Sequence, residues 1–302
     1  GEVEDALRRA LAQADRGGSD PLGFSDAVSH EDEYYLALLR AARAEAERSR
    51  RAALPAGPPM YADLWGTRQF EKLDKGWIGS FTEMLRAERA EFPTHLAGGF
   101  EPVVPITDDA TFALAGDWGT GSASSLQLAL KVTERKTAHT VHLGDVYYAG
   151  TPEEVRRRFL AHWPAGTDPA HPSFALNANH EMYAGGHGYF GVMLQDARFK
   201  GQRGLSYFAL ENAHWTVVGF DSAYHSQRRK LYQDGALDPV QAEFIRATVR
   251  RAREQGRRVI ALCHHHGIGT DGDLVQPWWD TVMEAFAGGP DGWYFGHEHA
   301  AV

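Results

Sequence analysis

The sequence is poor in cysteine, in long apolar runs and in positive charge. Cys263 is the single cysteine among 302 residues, so no internal disulfide can form and we expect a reducing, cytoplasmic location. No run of about 18 apolar residues is present, so the sequence predicts no transmembrane helix. Lysine and arginine number 31 against 40 aspartates and glutamates, and the resulting net charge of −9 argues against a nucleic-acid partner.

The hydrophobic pattern changes near residue 100. Residues 1–99 carry apolar side chains at helical spacing, as at Val3, Leu7 and Leu11, and predict an α-helical N-terminal region. This region shows no catalytic constellation, so we interpret it as a cap or as a surface for a protein partner. Residues 100–302 alternate short apolar runs with helical stretches, which predicts a separate α/β domain.

The segment HTVHLGDVYYAGT, His139 to Thr151, lies at the centre of this α/β pattern. Apolar and β-branched residues at 140–143 predict a buried strand that ends shortly before Asp145. Thr151 and, three residues later, Glu154 form the capping-box signature of a helix start. The segment therefore predicts a strand–loop–helix unit with a carboxylate at its tip, although Asp145 considered alone could be an ordinary turn residue.

Polar residues follow five predicted strands. They are Asp117, Asp145, Asn179, His264 and the pair His297 and His299. A lone asparagine after a strand is usually a turn residue, and a lone histidine is more often a core residue than a ligand. Several such residues at successive strand ends, however, predict a shared site. Mixed carboxylate and imidazole donors suit iron, manganese or zinc rather than calcium, and a carboxylate can bridge two such ions.

These strand ends resemble the sequence blocks of the calcineurin-like metallophosphoesterases, and of their purple acid phosphatase-like branch in particular. The matching blocks, in order, are GDWG at 116–119, GDVYY at 144–148, ANHE at 178–181, CHHH at 263–266 and GHEH at 296–299. Gly119 stands where the wider family has a histidine. The branch uses instead a tyrosine three residues after its second aspartate, which is Tyr148 here. The resemblance covers about residues 110–302 and implies a layered α/β/β/α sandwich.

The resemblance also implies a binuclear metal centre. One ion would be held by Asp117, Asp145, Tyr148 and His299, and the other by Asp145, Asn179, His264 and His297, with Asp145 bridging. A tyrosine phenolate is a hard anionic donor, so we expect Fe(III) together with Fe(II), Zn(II) or Mn(II). Which of the consecutive histidines His264, His265 and His266 is the ligand stays open, and His264 is favoured because it comes first after the strand.

Further roles follow from the same resemblance. With Asp145, His180 is a predicted catalytic residue that would contact the phosphate and steady the leaving oxygen; alternatively, it only positions Glu181. His265 is another candidate for substrate contact or for support of the ligands. His187 is a third, because its glycine-rich loop is of a kind that often borders a site. We interpret the remaining histidines, including His142, as structural or surface residues.

The expected function is hydrolysis of small phosphate monoesters by in-line attack of a metal-bound hydroxide. One alternative is a phosphodiesterase acting on a cyclic nucleotide or another diester, and a second is a catalytically degenerate module that binds phosphate or a partner. Two features depart from the family pattern. Ala178 replaces a glycine and would be strained if its φ were positive. The sequence also ends three residues after His299, so we expect the domain to be truncated at its C-terminal end.

Overall fold

The computed structural model describes residues 83, 86–92, 102–269, 272 and 275–298 of the chain. The chain divides into two compact units, Gly1–Ala87 and Glu88–Val302. The helices predicted for residues 1–99 lie almost entirely outside the described residues, and the boundary predicted after residue 99 stays a prediction. Among the helices that are described, none combines the length and the apolar character that crossing a bilayer requires.

The strands of the second unit are short and form two sheets. The strands are β1 Val103–Pro105, β2 Phe112–Ala115, β3 His139–His142, β4 Ser173–Ala175, β5 Phe208–Glu211, β6 Trp215–Gly219, β7 Arg258–Cys263 and β8 Gly292–Phe295. The larger sheet has the order β1-β5-β6-β7-β8 and the smaller sheet the order β2-β3-β4. Only the β5–β6 pair is antiparallel among the pairs of these strands.

Five α-helices lie among the described residues of the second unit, and the side chains of Ser122, Thr151 and Asp238 cap the first, second and fourth of them. They are α1 Ala123–Arg135, α2 Pro152–Glu154, α3 Asn179–Tyr183, α4 Pro239–Glu254 and α5 Trp279–Ala285. The predicted capping box is confirmed at α2, where Thr151 and Glu154 exchange side-chain and backbone hydrogen bonds. This helix continues as a π-helical segment, Val155–Leu160.

Hydrophobic side chains pack in layers around the two sheets. The layer between the sheets joins residues of both, including Val141, Leu143, Phe174, Phe208, Leu210 and Leu262. Helices α4 and α5 cover the outer face of the larger sheet. The π-helical segment after α2 covers the outer face of the smaller sheet through Phe159. This order confirms the predicted α/β/β/α sandwich.

The strands that precede the predicted ligands are parallel within each sheet. Ala115 of β2, His142 of β3 and Ala175 of β4 are partners across the smaller sheet. Cys263 of β7 and Phe295 of β8 are partners in the larger sheet. The chain therefore leaves each sheet at the carboxyl edge, the edge where α/β sheets place their ligand sites.

Candidate metal centre

The predicted ligands Asp117, Asp145 and His297 have a left-handed backbone. Their φ angles are 55°, 74° and 70°. Positive φ is uncommon outside glycine and is best tolerated by aspartate, asparagine and histidine. Such conformations cluster at functional sites, where the surrounding structure enforces them. Ala178, by contrast, has a φ of −142°, so alanine at this position causes no strain.

Backbone hydrogen bonds join the loops after β2 and β3. The Asp117 N–H donates to the Gly144 carbonyl at 2.9 Å, and the Gly119 N–H donates to the Asp145 carbonyl at 3.2 Å. A Cβ atom on Gly119 would lie 2.7 Å from the Cα atom of Val146. The close approach of the two loops therefore leaves no room for a side chain at residue 119.

A buried carboxylate from α3 holds the backbone of Asp145. Glu181 Oε2 accepts the Asp145 N–H at 3.3 Å, and Oε1 accepts the Val146 N–H at 3.0 Å. Glu181 is fully buried. Because α3 begins at Asn179, this carboxylate fixes the position of one predicted ligand relative to another.

A second carboxylate, Glu154, binds the continuation of the same loop. Its oxygens accept the N–H groups of Tyr148 at 2.6 Å and of Ala149 and Thr151 at 3.1 Å each. The capping box predicted for helix initiation thus also fixes the backbone of Tyr148. The sequence signature indicates the cap, whereas the bonds to Tyr148 and Ala149 depend on the folded loop.

Burial and mutual repulsion disfavour the ionised forms of the carboxylates in the site. Burial raises the pKa of Asp145 well above its ordinary value, and the neighbouring Asp117 and Glu181 carboxylates raise it further. Burial also raises the pKa of Glu181, to about 8. A bound cation would offset this concentration of negative charge.

Two imidazoles from the larger sheet face these carboxylates. His264 Nδ1 donates to the Leu143 carbonyl at 2.8 Å, which leaves Nε2 with a free lone pair. Nε2 lies 3.4 Å from Asp145 Oδ1, 2.8 Å from Asn179 Oδ1 and 3.2 Å from His297 Nδ1. Burial is the main reason why the pKa values of His264 and His297 lie well below the ordinary value, so both rings stay neutral.

This arrangement fits the metal ions that the resemblance implies. Donor atoms of Asp117, Asp145 and His264 lie within 4.8 Å of one another. Nδ1 of His264 donates its hydrogen to the Leu143 carbonyl, so Nε2 carries a lone pair and no hydrogen. This lone pair and the oxygen of Asn179 are two acceptors that face one another. Two facing acceptors repel unless a cation lies close to both, and imidazole, amide and carboxylate donors together suit a transition metal.

Of the three consecutive histidines, His264 is the one directed at Asp145 and Asn179. His265 also has a ring nitrogen within 4.8 Å of His264 and His297. However, His265 Nδ1 pairs with Ser222 Oγ at 2.8 Å, and Nε2 donates to the Tyr232 carbonyl at 2.7 Å. Since both nitrogens are engaged and the side chain is buried, His265 is better suited to supporting its neighbour than to touching a substrate.

The amide oxygen of Asn179 lies toward His264, and the amide nitrogen lies on the opposite side. Asn179 Nδ2 donates to the Tyr183 hydroxyl at 3.0 Å. Tyr183 lies one helical turn further along α3, at the spacing that puts side chains on the same face. The sequence analysis did not identify Tyr183, although this spacing from a predicted ligand is a signal that could have found it.

His180 lies beside the carboxylate of Asp145. Its Nδ1 donates to the Tyr148 carbonyl at 2.7 Å, and its Nε2 lies 3.5 Å from Asp145 Oδ2. The backbone N–H of His180 also donates to Asp145 Oδ1 at 3.4 Å. The ring is therefore fixed by Nδ1, while Nε2 is directed at the predicted centre.

The two tyrosines of the loop have different surroundings. The ring of Tyr147 is buried and lies 4.3 Å from that of His180. Burial raises the pKa of Tyr147, and the charges of Asp145 and Asp117 raise it further. Tyr148 is partly exposed, and the guanidinium of Arg158 lies 5.1 Å from its ring centre. Burial and the neighbouring carboxylates therefore oppose a negative charge on Tyr147.

Two further predicted site residues, His187 and His299, are not among the contacts of this cluster that the structure describes. His187 is exposed, donates from Nε2 to the Glu88 carbonyl at 3.1 Å and lines a cavity of about 640 Å³ together with Phe190, Lys200 and Arg203. His299 lies outside the described residues.

Comparison with known proteins identifies the family of this segment. The model for the calcineurin-like phosphoesterase family matches residues 110–301, which include β2 to β8 and every predicted ligand. One similar solved structure is a dimetal phosphatase from Danio rerio, at 14% sequence identity, with 63% of this chain and 82% of that chain covered and a TM-score of 0.47. A search of curated proteins found no similar sequence.

Proposed function

Because the chain belongs to the calcineurin-like phosphoesterase family, we propose that this metal-dependent phosphoester hydrolase acts on small phosphate monoesters by in-line attack of water. The observation that carries the proposal is the meeting of Asp145, Asn179 and His264, whose acceptor atoms lie 2.8 and 3.4 Å apart across the two sheets. Buried acceptor atoms that face one another repel unless a cation binds between them. Family membership indicates that this cation serves phosphoester hydrolysis.

The proposed centre holds two ions that share Asp145. Asp117, Asp145, Tyr148 and His299 would hold one ion, and Asp145, Asn179, His264 and His297 would hold the other. Two such ions, when bound, polarise the phosphoryl oxygens and lower the pKa of water. A Tyr148 phenolate is a hard anionic donor and would favour Fe(III) at the first ion, with Fe(II), Zn(II) or Mn(II) as the second ion.

His180 is the proposed catalytic acid. Because Nδ1 is occupied by the Tyr148 carbonyl, Nε2 is the atom that can hold or release a proton beside Asp145. From there a protonated Nε2 can donate to the departing oxygen of the ester. An alkyl alcohol is a poorer leaving group than a phenol, so it depends more strongly on this donation.

The surroundings of Gly119 support the preference for monoesters. The backbone of Val146 fills the space beside this glycine, so the histidine found in diesterase-like relatives cannot be present. The net charge of −9 further disfavours a long nucleic-acid diester. Both features are consistent with the purple acid phosphatase-like branch.

A matched panel of aryl and alkyl monoesters and diesters, assayed with defined metals, tests the proposal. We expect a higher kcat/KM on monoesters, and a loss of about 10²- to 10⁴-fold on alkyl monoesters in His180→Ala with a smaller loss on aryl esters. His187→Ala should raise KM without changing kcat if the exposed His187 contacts the substrate. Faster hydrolysis of diesters would favour the phosphodiesterase, and metal binding without any turnover would favour the degenerate binding module.

Two other expectations rest on the sequence alone. A cytoplasmic location is predicted from the single cysteine, and a protein partner for the predicted N-terminal helices is proposed because that region of the sequence shows no catalytic constellation. Both stay predictions.

A further inference from the structure

The hydroxyl of Tyr183 lies between two side-chain amides. Asn179 Nδ2 donates to it at 3.0 Å, and Gln233 Nε2 donates to it at 2.9 Å. Tyr183 and Asn179 are both buried in α3, whereas Gln233 comes from the loop that precedes α4. The tyrosine oxygen thus accepts an N–H from an element of the site and another from outside it.

The orientation of the Asn179 amide decides whether this residue can bind a metal. The oxygen end has lone pairs, whereas the nitrogen end presents only hydrogens and repels a cation. The two orientations have almost the same shape, so packing alone distinguishes them poorly. With the nitrogen end on Tyr183, the oxygen end lies 2.8 Å from His264 Nε2, inside the predicted centre.

We propose that Tyr183 is a positioning residue that keeps the carbonyl end of Asn179 directed at the metal centre, with Gln233 holding the tyrosine hydroxyl in place. This inference rests on the proposed function, because it concerns the centre that would carry out hydrolysis. Tyr183 acts through Asn179 and need not touch the substrate. Partners that orient a metal ligand in this way typically contribute about 10- to 100-fold to metal affinity.

The substitution Tyr183→Phe tests the proposal, because it removes the hydroxyl and retains the ring. Metal-free protein is titrated with Zn(II) or Mn(II) in competition with a chelator, and thermal unfolding is measured in parallel. We expect one of the two ions to bind about 10- to 100-fold more weakly and the other to bind as in the wild type. Turnover at limiting metal should fall and should recover as the metal concentration is raised.

Tyr189→Phe is the matched control. Tyr189 is also buried, and its hydroxyl donates to the Ala175 carbonyl at 2.7 Å within the core rather than to a predicted ligand. We expect this variant to lose thermal stability and to keep wild-type affinity for both ions. Equal loss of metal affinity in the two variants would show that Tyr183 has only a general structural role, and would overturn the inference.

A double-mutant cycle with Asn179→Asp isolates the orientation itself. An aspartate presents an oxygen at either end, so its orientation no longer matters for coordination. The effect of Tyr183→Phe on metal affinity should therefore shrink in the Asn179→Asp background. The inference about Tyr183 would be overturned, and the proposed function left standing, if Tyr183→Phe had no effect on metal affinity in the wild-type background. The same conclusion would follow if its effect were unchanged in the Asn179→Asp background. Absence of metal binding by the wild-type protein would overturn the proposed function as well.

Discussion

The two sheets contribute different chemistry to the same edge of the molecule. The smaller sheet ends in the oxygen donors Asp117, Asp145 and Asn179, and the larger sheet ends in the nitrogen donors His264 and His297. Burial acts on both groups but in opposite directions, since it raises the pKa of Asp145 and lowers the pKa of His264 and His297. The oxygen side therefore concentrates negative charge, while the nitrogen side offers neutral lone pairs that could bind a cation.

The two sides also differ in how they are held. Carboxylates from neighbouring helices bind the loop that carries Asp145, as Glu181 does through two backbone N–H groups. On the nitrogen side, His264 is held by the carbonyl of Leu143, which belongs to the segment after β3 in the other sheet. The nitrogen side is thus oriented by the oxygen side. The complete donor set forms only when the sheets pack together through their shared hydrophobic layer.

The largest expected effect comes from Asp145→Asn, which damages the oxygen side at the residue proposed to serve both ions. We expect both ions to bind more weakly and turnover to fall by more than about 100-fold, the upper range for residues that act only through a ligand. Metal titration and kinetics on the same preparation measure both changes. His264→Gln is the counterpart on the nitrogen side and should weaken only one ion. Asp145→Asn with two ions at wild-type affinity and full turnover would refute the bridging role.

A smaller effect is expected from Glu181→Gln, which leaves every donor atom in place and alters how the oxygen side is held. A glutamine has one acceptor oxygen, so it can accept only one of the two N–H groups that Glu181 binds, and its own NH₂ opposes the other. We expect about 10- to 100-fold weaker metal binding in a folded protein. Glu154→Gln is the comparison variant, since it disturbs Tyr148 and Ala149 and leaves the N–H of Asp145 bonded, so it should weaken only the ion that Tyr148 is proposed to bind. Wild-type affinity in Glu181→Gln would show that the strand alone positions Asp145.

The sequence predicts much of this comparison but not its details. The layered sandwich is confirmed, and the segments that carry the predicted ligands do follow strands, because apolar runs and glycine turns are local signals. The second role of Glu154 was missed because its bonds to Tyr148 and Ala149 depend on the folded loop, whereas Tyr183 was missed although its spacing from Asn179 is a local signal. The positive φ of His297 is a further feature that the sequence analysis did not predict.

Substitutions of Tyr147 and Tyr148 provide a spectroscopic test of the oxygen side. We expect Tyr148→Phe to change the absorption spectrum of the iron-loaded protein more than its turnover. Protein loaded with iron in air should show a phenolate-to-iron charge-transfer band, and Tyr148→Phe should abolish it. Tyr147→Phe should retain the band, because burial first, and then the charges of Asp145 and Asp117, oppose a phenolate at Tyr147. Loss of colour in Tyr147→Phe and not in Tyr148→Phe would reassign the ligand to Tyr147.

The smallest effect is expected from a substitution on the outer face of the smaller sheet. His142 lies in β3, the strand that leads into the Asp145 loop, but its side chain faces the outer layer. Its ring packs 4.5 Å from Phe159, and neither nitrogen has a hydrogen-bond partner among the described residues. Burial lowers the pKa of His142 from 6.5 to about 3, and the charge of Asp117 opposes this shift only in part.

Protonation of His142 therefore favours the unfolded chain. Below pH 6.5 the unfolded chain binds a proton that the folded protein does not bind until about pH 3, so the free energy of unfolding falls as the pH falls through this window. At about 1.4 kcal/mol per pH unit, His142 costs roughly 2 kcal/mol at pH 5. His142→Leu should remove this cost and lose no hydrogen bond, so the variant should gain about 2 kcal/mol relative to the wild type between pH 7 and pH 5. Denaturant unfolding at the two pH values measures it, with the exposed His162→Leu as the matched control. An identical pH dependence in His142→Leu and the wild type would mean that the folded protein accommodates the protonated ring, and that the two faces of the smaller sheet differ less than their packing indicates.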